Sequence, residues 1–302
     1  MFPRKQWFST LLFSLPLILP LLGVVWVARL DLSPQQQAAP TVAPTVAPTE
    51  PVPDPTATPE PSPRRSLSLL TPTDPPYIPI LMYHYVREVE ESVDPLGFRL
   101  SVRPERFVEQ LAWLRDQGYE TLLMRELAAC LRGELRCPAR SVALTFDDGY
   151  SDQFQAALPA LQQYGFRATF YIVTGHVGRE GYMDWEQLEQ LRDRGMEVAA
   201  HTVSHADLAS LPLEQALVEI NGSRAALESR LGVDVVSFSY PAGSYSPELA
   251  RTLWEAGFTS AVTTAQHDDL SHLYELPRRR VLGGETIAGY PWYFRPLPRE
   301  GR

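Results

Sequence analysis

The sequence predicts an α/β domain of parallel strands, a doubly wound sheet or a barrel, over residues 77–302. Three observations carry this. Short β-type apolar runs alternate with helix-period segments from Arg103 to Thr263. Helical segments stop at glycines, at Gly118 and Gly165. Asp184, followed three residues later by Gln187, has the spacing of a capping box that starts a helix.

The chain before that domain has a different character. After the short residues 1–6, the run from Trp7 to Ala28 carries no charge. As a helix it would span about 33 Å, enough to cross a bilayer. Arg4 and Lys5 precede it, which orients the N-terminus toward the cytoplasm. With cleavage after Ala28, Trp26 would occupy position −3, where a small residue is needed, so residues 7–28 read as a transmembrane signal anchor. The alternative is secretion after signal cleavage. Residues 29–76 follow as a Pro/Thr-rich linker, expected to be disordered or polyproline-like, and they hold 13 of the 28 prolines between Pro34 and Pro76. The reading is a single-pass cell-membrane protein whose domain stands outside the cytoplasm on a tether.

Within the domain the predicted elements run in order. Ile80–Val86 is a first strand and Arg103–Gln117 a helix with Phe107, Leu111 and Leu114 on one face. Ser141–Phe146 is a strand, Asp152–Tyr164 a helix, Arg167–Val173 a strand. Asp184–Arg194 is a helix, Met196–Ala200 a strand, Leu213–Arg230 a helix. Val235–Tyr240 is a strand, Pro247–Ala256 a helix and Thr259–Thr263 a strand. Composition bounds the function. Lys plus Arg is 27 against 36 Asp plus Glu, a formal charge of −9, which argues against a nucleic-acid binder. Two cysteines exclude a disulfide-built mini-domain and a Cys-based structural zinc site. Cys130 and Cys137 are close enough in sequence to pair in an oxidising compartment.

In a β/α barrel, chemistry sits where strands end at their C-termini. The strand ending at Phe146 runs into Asp147-Asp148-Gly149-Tyr150. Adjacent carboxylates repel, so a metal, an arginine or water must offset the pair. The strand ending at Ala200 runs into His201-Thr202-Val203-Ser204-His205. Two imidazoles and a carboxylate suit a divalent metal, zinc by default, with open positions for water. A third strand end carries Phe238-Ser239-Tyr240-Pro241-Ala242-Gly243-Ser244-Tyr245.

These three segments, in this order, resemble the polysaccharide deacetylases, the NodB-homology domain of carbohydrate esterase family 4. The resemblance spans roughly residues 77–302. It implies a distorted (β/α) barrel and metal-dependent removal of acetyl groups from N-acetylated amino sugars. By resemblance, Asp148, His201 and His205 hold the metal. Asp147 is the general base, and the backbone N–H of Tyr150 helps hold the oxyanion. Two positions depart from the common pattern: Ser239 replaces an arginine, and no late Leu-x-His motif is evident. Both departures are similar to the extracellular poly-N-acetylglucosamine deacetylases. In that subgroup His84 would be the general acid, and Arg278, in Leu276-Pro277-Arg278, would replace the missing arginine. Trp185 reads as a groove wall for a sugar ring or as the apolar start of a helix. Tyr240 and Tyr245 read as lining for an acetyl pocket or as core. The expected partner is an N-acetylated cell-wall glycan or poly-N-acetylglucosamine, acted on by a monomeric catalytic domain. An O-acetyl esterase and a catalytically weak glycan-binding module remain as alternatives.

Overall fold

The computed structural model describes residues 77–297. The anchor assigned to residues 7–28 and the linker assigned to 29–76 lie outside them. Among the described residues, no helix is long and apolar enough to cross a membrane.

Among the described residues eight strands form one sheet in which every pairing is parallel: β1 (Ile80–Tyr83), β2 (Glu120–Leu122), β3 (Ser141–Phe146), β4 (Thr169–Ile172), β5 (Glu197–Ala200), β6 (Ser237–Ser239), β7 (Ser260–Val262) and β8 (Arg279–Arg280). Their order is β7-β6-β5-β4-β3-β1-β8, with β2 beside the start of β3. Parallel strands covered on both faces read as continuous apolar runs, and all six residues of β3 are buried. Residues 276–280 link the two edges of the sheet. Leu276 bridges Val262 at the end of β7, and Arg279 and Arg280 pair with Leu81 and Met82 of β1. The sheet therefore curls into a barrel of irregular strands.

Among the described residues seven α-helices accompany the strands: α1 (Pro95–Leu100), α2 (Pro104–Asp116), α3 (Met124–Leu131), α4 (Leu158–Tyr164), α5 (Trp185–Asp193), α6 (Leu213–Leu231) and α7 (Pro247–Glu255). A π-helical turn, Gln153–Ala157, leads into α4, and Gly165 ends it in the left-handed conformation at φ 69°. Asp184 and Gln187 form the capping box read from the sequence, each side chain accepting the other's backbone N–H at 2.8 and 3.0 Å. Each element predicted from the sequence is present with ends moved by a few residues, while α1, β2, α3 and β8 were not anticipated. Cys130, in α3, is joined to Cys137 by a disulfide, with Cα atoms 5.5 Å apart.

Two apolar clusters divide the interior. The larger lies between sheet and helices and contains Leu81, Leu144, Phe146, Phe170, Val198 and Phe238. The smaller, with Ile80, Ala143, Tyr171, Ala199, Val262 and Leu276, fills the barrel. Strand alternation then points the next inward positions, at the C-terminal ends of β3, β5 and β6, to one place.

Candidate active site

Asp147, His201 and Ser239 leave β3, β5 and β6 on the inward face, and Arg278 enters from the segment that closes the barrel. Arg278 is the largest fully buried side chain among the described residues, 1% exposed. Its guanidinium meets Asp147 as a fork: Nη1 donates to Oδ1 and Nη2 to Oδ2, both at 2.7 Å. Nε donates to the Thr263 carbonyl at 2.9 Å, Nη1 also to Thr145 Oγ1 at 3.2 Å, and Nη2 also to Ser239 Oγ at 3.0 Å. All five guanidinium donors are thus used. Burial pushes the Asp147 carboxyl up, but the charge and hydrogen bonds of Arg278, with His201 and His84 nearby, hold it well below the usual carboxylate range.

Asp148, His201 and His205 come together as the sequence predicted. One ligand atom from each lies within 4.8 Å of those of the other two. Both imidazole Nε2 atoms are 3.4 Å from Asp148 Oδ1, longer than an ordinary hydrogen bond. That oxygen is buried without a hydrogen-bond partner, an arrangement that a shared cation would satisfy. The Ser239 carbonyl sits 2.7 Å from His201 Nδ1. A carbonyl only accepts, so Nδ1 carries the proton and Nε2 presents its lone pair to the cluster. The donor set therefore fits a divalent metal.

The backbone is strained at this point. The four non-glycine residues with positive φ among those described are Asp148 (75°), Thr202 (65°), His205 (62°) and Ala242 (55°). Two are members of the cluster, one follows His201, and the last lies in the turn after β6. Such residues persist where surrounding contacts over-determine them. Here Thr202 Oγ1 accepts the His205 N–H at 2.9 Å. Glu219 of α6 accepts the N–H groups of Val203 and Ser204 at 2.9 and 2.8 Å, and the Ser204 hydroxyl at 2.8 Å. The turn after β4 reaches the same loop: Gly175 N–H donates to the Val203 carbonyl at 2.8 Å. A Cβ at Gly175 would lie 2.6 Å from that oxygen, so only glycine allows the approach.

His84 leaves β1 beside Asp147, and burial holds its imidazole below its ordinary value against the pull of Asp147 and Asp148. Gln153 joins the two strand ends, its Nε2 donating to the carbonyls of His84 at 2.8 Å and Asp147 at 2.5 Å. The sequence reading did not single out Gln153, Glu219, Thr145 or Ala242. The only local signal was for Gln153, a glutamine opening the helix directly after the Asp-Asp-Gly turn. Tyr150 lies two residues beyond Asp148, and its N–H donates to no protein acceptor among the described residues. Three other candidates lie elsewhere. Tyr240 is on the face opposite Ser239, fully buried against Phe238, and its hydroxyl donates to the Tyr274 carbonyl at 3.2 Å. Tyr245 stacks on it, so both take the core alternative rather than lining a pocket. Trp185 opens α5 and packs against the core, with Arg230 over its ring at 6.0 Å.

Comparison with known proteins places this arrangement. Residues 135–271 match the family model described as polysaccharide deacetylase. YxkH of Bacillus subtilis, which carries the polysaccharide deacetylase name, is 30% identical over 227 residues, covering 74% of this chain and 78% of its own length. A poly-beta-1,6-N-acetyl-D-glucosamine N-deacetylase of Staphylococcus aureus (strain MRSA252) is 25% identical over 227 residues, covering 66% of this chain and 76% of its own. Among solved structures, the Streptococcus pyogenes deacetylase PplD, in complex with acetate, superposes with a TM-score of 0.68 at 27% identity. It covers 72% of this chain and 98% of its own. Fold and site together define a carbohydrate deacetylase, a hydrolase. The chain belongs to the polysaccharide deacetylase family.

Proposed function

We propose that this protein removes N-acetyl groups from N-acetylglucosamine units of a polysaccharide, with a divalent metal, zinc by default, held by Asp148, His201 and His205. The observation that carries the reading is the pairing of that three-ligand cluster with the neighbouring Asp147–Arg278 fork. A metal at this position supplies a water acidic enough to attack an amide near neutral pH, and positive charge for the developing oxyanion.

The chain's own residues supply the rest. Asp147 accepts the proton of the attacking water, because Arg278 keeps its carboxylate ionised and fixed in one orientation. The same fork makes Asp147 a weak base, which matches an acidified water better than a bulk one. The Tyr150 N–H, without a protein acceptor, is the backbone donor for the oxyanion. His84 protonates the departing amine. The Staphylococcus aureus relative favours poly-N-acetylglucosamine as substrate, with cell-wall glycan the other acetamide-bearing choice. The Cys130–Cys137 disulfide supports action outside the cytoplasm, in keeping with the expected anchor.

Acetate release from N-acetylglucosamine oligomers, with zinc added and with Asp147→Asn as control, tests this reading. Release is expected from the wild type and should fall at least about a hundredfold in Asp147→Asn, the usual scale for losing a general base. Equal release from both would remove Asp147 from the mechanism. Release from O-acetyl but not N-acetyl sugars would reassign the substrate.

A further inference from the structure

The Asp147–Arg278 fork is held at its edges by groups already described, and on its face by a side chain with no part in the chemistry so far. The guanidinium donors lie in one plane, and all of them are engaged by Asp147, Thr145, Ser239 and Thr263. Bonds within a plane resist sliding in it better than tilting out of it. Arg278 Cζ lies over the ring of Tyr171, 5.7 Å from its centre. With every edge donor taken, the side left to that ring is the guanidinium face.

Strand register brings Tyr171 to this place. Thr145 pairs with Thr169 and Phe146 with Phe170, so the next inward residue of β4 after Thr169 stands beside Asp147. That residue is Tyr171. On its other side it pairs with Ala199 of β5. Ala143 is the inward residue of β3 below Thr145, so two small neighbours leave room for one ring. Tyr171 is fully buried, and it is the one aromatic residue among the described residues of the cluster that fills the barrel.

Its hydroxyl is not what earns it the position. The Tyr171 oxygen is buried without a hydrogen-bond partner, which is a cost. Burial pushes its ionisation well above the ordinary tyrosine value, so the ring stays neutral and does not compete with Asp147 for the guanidinium. What the side chain offers is its negative π face, which attracts a cation most where water is excluded.

We propose that Tyr171 is a positioning residue for the reaction: its ring backs the Arg278 guanidinium and so keeps the Asp147 carboxylate in the orientation from which it takes the water's proton. The inference rests on the reading of Asp147 as general base and extends that base's support to the ring behind its arginine. A misplaced base slows the chemical step, while a substrate that never touches Tyr171 binds as before.

The test is acetate release by the full chain, with zinc, from N-acetylglucosamine oligomers and from an O-acetylated sugar. Tyr171→Phe keeps the ring and removes only the unpaired hydroxyl, so kcat should stay within about twofold of wild type and the urea midpoint should not fall. Tyr171→Leu should lower kcat about tenfold, with KM and zinc affinity within about twofold of wild type. Tyr171→Met fills the space without a ring and serves if Tyr171→Leu does not fold. In the Arg278→Met background, Tyr171→Leu should lower kcat no further, and the two losses of urea stability should be less than additive. Wild-type kcat in both ringless variants overturns the positioning role. So does a tenfold loss in Tyr171→Phe, or full additivity with Arg278→Met. Release from the O-acetylated sugar alone, with the same dependence on the ring, sustains the inference and overturns the N-deacetylase reading. Release from neither substrate overturns both.

Discussion

Asp147 and Arg278 show why the site tolerates no half-measures at the scale of single residues. Each is buried, and each satisfies the other through two parallel hydrogen bonds. Removing one partner leaves a buried charge alone, which costs about 3–5 kcal/mol. Arg278→Met is therefore expected to lower unfolding free energy in urea by that amount, besides reducing acetate release. Arg278→Lys should rescue little, because a single ammonium cannot match the five donors of the fork. A urea midpoint in Arg278→Met equal to the wild type would show that the pair is not desolvated as described. Ser239 has a related part. It stands where the common family pattern has an arginine, and its hydroxyl accepts from Arg278, which arrives on the segment that closes the barrel. The charge is kept while its place in the chain moves.

At the scale of elements, the cluster depends on a helix that contributes no ligand. Glu219 on α6 receives three hydrogen bonds from residues 203 and 204, between the two histidines. Glu219→Ala should free two backbone N–H groups and let the loop leave its left-handed residues. Zinc affinity, read by competition with a chromogenic chelator, is expected to fall about tenfold, the lower end for losing an outer support of a metal ligand. Unchanged affinity would take α6 out of the site's support. This dependence also marks how far the sequence could be read. The strand ends carrying Asp147, Asp148, His201 and His205 were legible because parallel strands are continuous apolar runs that stop abruptly at polar residues. Arg278 was legible only through resemblance, since nothing local ties it to Asp147. Gln153 and Glu219 were not legible, because their work is hydrogen bonding to backbone that only the folded turns bring near. The elements α1, β2 and β8 were missed because six, three and two residues are too short for periodicity to register. Tyr240 stayed open between pocket lining and core in the sequence, and the pleat is what separates the two. It directly follows Ser239 at the strand end, and alternation sends neighbouring side chains to opposite faces.

Across the whole domain, the barrel interior is apolar below and polar above. Ile80 and Ala143 fill the lower part, while Asp147, His201 and Arg278 converge at the upper end. The cluster exists only when the strands are in register, so a metal bound there binds the folded state and not the unfolded chain. Chelation should therefore destabilise the protein. With free zinc at 100 times its Kd, the loss on adding chelator is expected to be about 2.7 kcal/mol, read from urea unfolding with and without metal. A stability indifferent to zinc would argue against occupation of the cluster. Closure of the barrel by residues 276–280 also sets an order in time. Asp147 and Arg278 are 131 positions apart. At about 5–20 residues per second, the ribosome adds that interval in roughly 7–26 s. Through that interval the acid at the end of β3 has no counter-charge and must stay in water. A nascent chain can collect its helices as they emerge, but it cannot bury the Asp147 carboxylate until the strand that closes the barrel has been made.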